Sequence, residues 1–216
     1  MVSRSYRLTI DVGHAPCPFD NIEKLISVTN ENCYELGSKI LTLATCARNI
    51  RFTAKIGGYI FGIAGAEFNE KANNLLWAGR VSEIISKAEY SEKFPGRPDN
   101  YYKLENGKYI QLKNPFHDSS QIYSDLNPPN VLLFDEWWYF GSRANEAVQE
   151  ELRAKRQEAK ILNEDSVKKF VELLKEKYPS NIVLGKPASL DQSFIAHLKS
   201  FHNKKAIFKN NLSCRI

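Results

Sequence analysis

The feature that most constrains the fold is a pair of apolar runs, at residues 55–65 and 75–85. The first run is β-branched, aromatic and repeatedly interrupted by glycine, which is typical of a buried strand with close backbone approaches. The polar segment 69–74 separates the two runs and has the composition of a turn. We therefore predict a buried antiparallel strand pair.

The remaining patterns divide the chain into a β-rich part and a helical part. Further strands are predicted at 6–12, 108–112 and 130–135, and Asn106-Gly107 is a strong hairpin signal. After residue 141 we predict a charged, alanine-containing helix at 142–160, a second helix with an apolar stripe that Asn163 can cap, and a short third helix at 189–201.

These patterns predict an α+β fold: a mostly antiparallel, curved sheet or a small barrel, followed by C-terminal helices. The length of 216 residues suits one domain with an appendage. We place the main domain at 1–145 and a helical, basic appendage at 146–216.

Composition and missing motifs exclude several classes of protein. A chain with 43% hydrophobic and 12% aromatic residues is too apolar for intrinsic disorder. It has no transmembrane-length apolar run and no signal-peptide core, so we expect a cytoplasmic protein with no membrane partner and reduced cysteines. Walker A, GxGxxG, GxSxG and HExxH motifs are absent from the sequence.

The loop after the first predicted strand carries the first candidate catalytic group. It combines Asp11, His14 and Cys17 with two prolines that stiffen it. His14 could act as a general base oriented by Asp11, and Cys17 could be a nucleophile. In the structural alternative, Asp11 accepts hydrogen bonds from the loop backbone, and His14 and Cys17 pack.

A second candidate group lies at 42–51, where Thr42, Cys46, Arg48 and Arg51 are interspersed with apolar residues. Because arginine binds phosphate in a bidentate manner, the two arginines suit a nucleotide or a nucleic-acid backbone. Cys46 is a further candidate nucleophile. The alternative is a core element flanked by two surface arginines.

Aromatic residues are dense near the end of the last predicted strand. Trp137 and Trp138 project to opposite faces of a strand, so one of them could line a cleft. Trp138 and Tyr102 are candidates for stacking on a base. The alternative is an aromatic core cluster with one ring under the C-terminal helices.

The spacing of cysteines and histidines argues against a metal site. The candidate ligands His14, Cys17, Cys33 and Cys46 contain no CxxC or HxxxH pair, which structural zinc sites normally show. We predict no metal site, and the sequence identifies no cofactor.

The net charge of +5 lies in the last 35 residues. Residues 182–216 contain six basic side chains and one acidic side chain, whereas the preceding 181 residues are neutral overall. A basic tail favours contact with phosphate backbones through counterion release. The alternative is a solvated C-terminus with incidental lysines.

Six motifs in order resemble the nucleotide modification associated domain family, type 2. The matching residues are Asp11, Gly13, Ala15, Pro16, Pro18 and Phe19; Thr42, Leu43, Ala44, Cys46, Ile50 and Arg51; Ala54 and Gly57; Arg80-Val81-Ser82-Glu83; Asp99, Asn100 and Tyr102; and Tyr139-Phe140-Gly141. The resemblance covers roughly residues 6–145. The sequence departs from the family at Gly58, where the family has aspartate, and at Cys17, where it has asparagine.

The resemblance implies a link to the modification of bases in DNA, often in phage and bacterial defence, without a settled reaction. The glycine-marked strand pair is also similar to PUA-like domains such as EVE and ASCH, which bind nucleic acid. Our first hypothesis is therefore a protein that binds a modified nucleotide or a nucleic acid, DNA more than RNA, in a PUA-like pocket. Its candidate binding residues are Thr42, Arg48, Arg51, Asn100, Tyr102 and Trp138.

Two other hypotheses stay open. In the second, the chain is an enzyme acting on a nucleotide or DNA base, with Asp11 and His14 as acid and base and Cys46 or Cys17 as the nucleophile. In the third it is a scaffold subunit whose helices bind a partner modification enzyme. The first two require Asp11, His14, Cys46 and Arg51 to converge on one cleft.

Overall fold

The computed structural model describes residues 2–28, 37–155 and 158–213, with side chains up to residue 203. In these ranges the strands form one seven-stranded sheet and one separate hairpin. The strands are β1 (Arg4–Leu8), β2 (Leu41–Leu43), β3 (Tyr59–Ala64), β4 (Leu75–Ser86), β5 (Tyr102–Glu105), β6 (Lys108–Gln111), β7 (Asn130–Tyr139), β8 (Lys160–Ile161) and β9 (Ile182–Val183).

The helices lie in the connections and at the C-terminal end of the chain. They are α1 (Ile22–Ser27), α2 (Arg48–Thr53), α3 (Lys87–Lys93), α4 (Ile122–Leu126), α5 (Glu164–Lys177) and α6 (Gln192–Ser213). None of the helices in the described ranges is long and apolar enough to cross a membrane.

The main sheet is open and mostly antiparallel. Its strand order is β2-β7-β4-β3-β1-β8, with β9 also alongside β7. Only the β1–β3 and β7–β9 pairs are parallel. The predicted α+β fold with C-terminal helices is confirmed, and of its two versions the structure has the sheet rather than the closed barrel.

The predicted strand pair is confirmed as β3 and β4, which are antiparallel. All six residues of β3 are buried. A β-carbon at Gly62 would lie 1.9 Å from Nε1 of Trp77, so glycine is needed for the two strands to pack. On one face, Phe61 meets Phe170 of α5 with ring centroids 5.5 Å apart.

The tandem tryptophans are both fully buried because both faces of the sheet are covered. Nε1 of Trp138 donates to the carbonyl of Tyr178, at the end of α5. Tyr139 lies on the same face of β7 as Trp137, and its ring centroid is 6.4 Å from that of Phe19. These rings therefore form an aromatic core cluster, and neither tryptophan lines a cleft.

The local signals at β5–β6 and α5 are also confirmed. The strands flanking Asn106-Gly107 pair as an antiparallel hairpin. The side chain of Asn163 accepts hydrogen bonds from the backbone N–H groups of Asp165 and Ser166, which caps α5.

The helix predicted at 142–160 does not form: the only helical structure in the described part of this segment is two short 3₁₀ turns, Gly141–Arg143 and Glu150–Leu152. Residues 144–149 instead lie alongside residues 73–75, at the start of β4, where Leu75 N donates to Glu146 O and Val148 N donates to Asn73 O. These contacts use backbone groups that a helix would need internally. A tertiary interaction therefore overrides the local helical pattern.

The division of the chain at residue 145 stays a prediction. β8 and β9 come from beyond that position and pair with β1 and β7. α5 also comes from beyond it and covers β3.

Candidate active site

A backbone bridge joins the two segments in which the sequence predicts catalytic groups. Cys17 N donates to Thr42 O at 2.8 Å, and Thr42 N donates to Cys17 O at 3.1 Å. This bridge holds the loop after β1 against β2. As a result Nε2 of His14 lies 3.8 Å from Sγ of Cys46.

A second histidine, His117, completes a cysteine–histidine–aspartate arrangement. Its Nε2 lies 3.3 Å from Sγ of Cys46, and its Nδ1 lies 2.7 Å from Oδ2 of Asp125. The same carboxylate accepts a hydrogen bond from the Tyr102 hydroxyl at 2.9 Å. A histidine between a thiol and an orienting carboxylate is the geometry of nucleophilic catalysis.

Cys46 occupies a sharp turn between β2 and α2. Cys46 and Ala47 have φ values of 53° and 36°, in the left-handed region that non-glycine residues usually avoid. Such strain persists only where the surrounding structure maintains it, and it clusters at functional sites. The turn leaves Cys46 exposed, whereas the preceding Thr45 is buried.

Two buried cations hold this turn from the inside. Nε of Arg51 donates to the carbonyl of Cys46 at 2.9 Å, and Nζ of Lys87 donates to the carbonyl of Ala44. The other Arg51 nitrogens donate to the carbonyls of Ser124, Pro128 and Asn130. Arg51 therefore ties the Cys46 turn to the segment after α4.

The electrostatics of the cluster favour a thiolate. Desolvation raises the pKa of Cys46, but hydrogen bonds from His117 and His14 outweigh this effect and lower the pKa to about 6. Desolvation lowers the pKa of His117, but its hydrogen bonds to Asp125 and Cys46 raise it to about 9. Near neutral pH, Cys46 and His117 are therefore a thiolate–imidazolium pair.

The cluster opens into a cleft of about 530 Å³. Side chains that line it include Arg7, Ile10, His14, Cys46, Arg48 and Asn49. Its volume is in the range of small-molecule sites. Cys46 is thus reachable from solvent beside an exposed arginine, Arg48.

Asp11 is buried and used by the scaffold. Its carboxylate accepts hydrogen bonds from Ala188 N, Gly13 N and the Tyr139 hydroxyl. Burial raises its pKa despite these donors. Asp11 therefore does not orient His14, whose Nδ1 has no hydrogen-bond partner among the described residues.

Of the two predicted phosphate-binding arginines, only Arg48 faces the cleft. The Arg51 side chain is occupied by backbone carbonyls, and the residue is 1% exposed. Thr42 is also buried, and its hydroxyl donates to Asp99 Oδ2 at 2.6 Å. Arg51 and Thr42 are therefore structural in this arrangement. Of Asp11, His14, Cys46 and Arg51, which both site hypotheses require in one cleft, only His14 and Cys46 line it.

The other candidate binding residues lie in three different places. Tyr102 is buried and positions Asp125 through its hydroxyl. Trp138 is in the core. Asn100 lines a different pocket, and its Nδ2 donates to the carbonyl of Phe94 at 3.0 Å.

Neither His117 nor Asp125 is predicted as a site residue from the sequence. Both lie in the irregular region between the β5–β6 hairpin and β7, where no periodicity marks a functional side chain. The one available signal was scarcity, because the chain has only four histidines. Cys17, by contrast, is fully buried, and burial raises its pKa, which argues against a nucleophilic role.

Comparison with known protein families places the chain in one of them. The family described as nucleotide modification associated domain 2 matches residues 3–194. The chain belongs to this family. No curated protein and no solved structure matches the chain. Membership supports a role associated with nucleotide modification in general.

The Cys46 cluster consists of His14, Cys46, His117 and Asp125. All four residues lie inside the range that matches the nucleotide modification associated domain 2 family. Three of them, His14, Cys46 and His117, also have donor atoms within 4.8 Å of one another, close enough to hold a zinc ion with an open coordination position. Asp125 would then be the carboxylate that orients a metal-bound histidine. The prediction of no metal site was based on His14, Cys17, Cys33 and Cys46 and left out His117. Of these residues, Cys33 lies outside the described part of the chain.

Proposed function

We propose that this chain is an enzyme of nucleotide modification in which the Cys46 thiolate is the nucleophile. The observation that carries this proposal is the hydrogen-bonded chain from Sγ of Cys46 through His117 to Asp125. The family is associated with nucleotide modification, which favours a nucleotide as the substrate. The cleft has room for a nucleotide, and the Arg48 guanidinium can bind its phosphate.

In the proposed reaction, the sulfur forms a bond to an electrophilic carbon of the nucleotide or of the group transferred to it. The electron pair displaced from that carbon moves to the adjacent atom or to the leaving group. The imidazolium of His117 gives its Nε2 proton to that atom, while Asp125 stabilises the ring. In the second step a water molecule gives a proton to the now neutral His117 and attacks the same carbon, and the C–S bond breaks with its electron pair returning to Cys46 as the thiolate.

The test is the pH profile of Cys46 alkylation. We expect iodoacetamide to label Cys46 with a midpoint near pH 6, because the thiolate is the reactive form and its pKa is about 6. In the His117→Gln variant the midpoint should rise, because the hydrogen bond from His117 no longer lowers the pKa of Cys46 and only that from His14 remains. Peptide mass spectrometry resolves the sites, since the tryptic peptide 40–48 contains Cys46 and no other cysteine.

Two internal controls accompany this measurement. Cys17 should stay unlabelled in the folded protein because it is fully buried, and the exposed His197→Gln variant should keep the native midpoint. An unchanged midpoint in His117→Gln would contradict the proposed pair. Protection of Cys46 that is lifted only by a chelator would instead support the zinc alternative.

The charge distribution favours a second candidate function, the binding of a nucleic acid. Residues 182–216 have six basic and one acidic side chain. We propose that this segment contacts the phosphates of DNA, so that the nucleotide substrate is part of a polymer. In this proposal the Cys46 cleft reads the nucleotide and the basic segment contributes affinity without reading sequence.

The salt dependence of DNA affinity tests this second candidate. Replacing Lys204, Lys205 and Lys209 by alanine should lower the log–log salt slope by about 0.9 for each lysine that contacts a phosphate. A triple variant at the exposed Lys55, Lys108 and Lys169 serves as the matched control and should keep the native slope. Absence of binding at low salt, or binding with no salt slope, would overturn the proposal.

A further inference from the structure

The turn at 114–117, which follows the β5–β6 hairpin, carries one of the two histidines of the Cys46 cluster. Oδ1 of Asn114 accepts hydrogen bonds from Phe116 N at 3.0 Å and from His117 N at 2.7 Å. Nδ2 of Asn114 donates to the carbonyl of Leu112 at 3.0 Å. An asparagine that accepts from residues two and three positions ahead fixes a turn that no helix or strand supports. The Asn114 side chain therefore sets the backbone from which the His117 imidazole projects.

The position of the His117 backbone limits where its ring can lie. The two ring nitrogens contact partners on two other segments, Sγ of Cys46 at 3.3 Å and Oδ2 of Asp125 at 2.7 Å. A shift of the backbone at His117 therefore lengthens at least one of these two contacts. A displacement of about 1 Å at a catalytic group can lower a reaction rate about a hundredfold.

The same turn places Phe116 against the other histidine, His14. The two rings are stacked, with centroids 4.5 Å apart and planes 21° apart. Nε2 of His14 faces Cys46, while its Nδ1 has no hydrogen-bond partner among the described residues. Ring contacts with Phe116 and Tyr101, rather than a second hydrogen bond, therefore hold the His14 imidazole.

The turn lies behind the Cys46 cluster rather than in the cleft. The Phe116 ring also contacts Tyr101, with centroids 5.9 Å apart, and Phe194 of α6, at 5.8 Å. Neither Asn114 nor Phe116 is among the described residues that line the Cys46 cleft. Any effect of Asn114 on the chemistry of the cleft therefore passes through the two histidines.

We propose that Asn114 is a positioning residue of the Cys46 cluster: it fixes His117 through the backbone of the turn and His14 through the ring of Phe116. This role rests on the proposed function, because the positions of the two histidines affect the reaction only if Cys46 reacts as a thiolate. It extends the site to a side chain that does not touch the cleft.

The test is the pH profile of Cys46 alkylation by iodoacetamide in variants of Asn114. In Asn114→Ala the midpoint should rise by about 0.5–1 pH unit, because the hydrogen bonds that lower the pKa of Cys46 are weakened. Asn114→Asp keeps an oxygen that accepts from the N–H groups of Phe116 and His117, so its midpoint should stay closer to the native one. Asn203→Ala, at an exposed asparagine of α6, is the matched control and should keep the native midpoint.

The titration of His117 provides a second readout, by NMR of the ¹³C-histidine-labelled protein with His117→Gln to assign the resonance. Hydrogen bonds to Asp125 and Cys46 raise the pKa of His117 to about 9. In Asn114→Ala this pKa should fall while that of Cys46 rises, because the same contacts stabilise both charges. The substitution leaves in place all the titratable groups that interact with His117, which are Cys46, Asp125, His14, Tyr101 and Asp118.

A background without either histidine separates positioning from a general structural effect. In His14→Gln/His117→Gln, adding Asn114→Ala should leave the Cys46 midpoint unchanged, because no histidine is left to position. A substitution that acted by distorting the Cys46 turn would still shift it. Phe116→Leu supplies an independent variant that keeps the Asn114 hydrogen bonds but removes the ring stacked on His14. It should raise the midpoint in the native background and have no effect in His14→Gln.

Four outcomes would overturn the proposal. They are a native midpoint in Asn114→Ala, a midpoint in Asn114→Asp as high as that in Asn114→Ala, an effect of Asn114→Ala that persists without the two histidines, and a native midpoint in Phe116→Leu. Each of these, with a native midpoint near pH 6, refutes the role of the turn alone. A native midpoint of about 8.5, that of an ordinary thiol, would refute the proposed function together with this role.

Discussion

The Cys46→Ala variant is expected to lose at least about a thousandfold in nucleotide-modifying activity, because no other described side chain can replace the nucleophile. Cys46→Ser should be similarly impaired, since a hydroxyl beside His117 is not ionised as the thiol is. The measurement is the nucleoside composition of DNA and of the nucleotide pool in cells that express each variant, determined by mass spectrometry.

Intact-mass analysis of the purified protein supplies the direct readout. A nucleotide-derived adduct should accumulate on the native chain and be absent from Cys46→Ala. Cys17→Ala is the control: Cys17 is fully buried, so its loss should lower stability but leave the activity of the folded protein unchanged. Full activity in Cys46→Ala would refute covalent catalysis and leave the binding hypothesis in its place.

The Arg51→Met variant is expected to lower the free energy of unfolding by about 3–5 kcal/mol. Methionine preserves much of the volume but leaves four carbonyls, those of Cys46, Ser124, Pro128 and Asn130, without their charged donor. The loss should appear as a lower urea midpoint with an unchanged slope. Cys46 alkylation should also become less dependent on His117, because the turn that presents the thiol is no longer held.

Arg48→Met is the matched control for Arg51→Met. Arg48 is exposed, so its replacement should change the unfolding free energy by no more than about 0.5 kcal/mol. In the proposed function it should instead weaken the binding of a phosphorylated substrate. The opposite result, a stable Arg51→Met variant that fails to bind nucleotide, would show that Arg51 contacts ligand.

The parts of the fold that were predictable are those specified by neighbouring residues. The β3–β4 pair follows from two apolar runs separated by a short turn, the β5–β6 hairpin from Asn106-Gly107, and the start of α5 from the Asn163 cap. Each depends on segments that are adjacent in the chain, whose interactions are visible as spacing and composition.

The helix predicted after residue 141 does not form because the structure of this segment depends on residues distant in the chain. Its composition favours a helix, but Leu75 and Asn73, at the start of β4, form backbone hydrogen bonds with Glu146 and Val148 instead. Tertiary hydrogen bonds of this kind are invisible in a local window. The same limit applies to Arg51, because nothing in a sequence distinguishes an arginine that binds phosphate from one that binds buried carbonyls.

By itself, the sequence determined the fold class, the family and two members of the candidate site, His14 and Cys46. Only the tertiary structure decided that Asp11 supports the loop and that His117 and Asp125 complete the cluster. The physical reason is that strands and helix caps depend on neighbouring residues. The site instead depends on the contacts of Cys46 with His14 and His117, which lie 32 and 71 positions away in the chain.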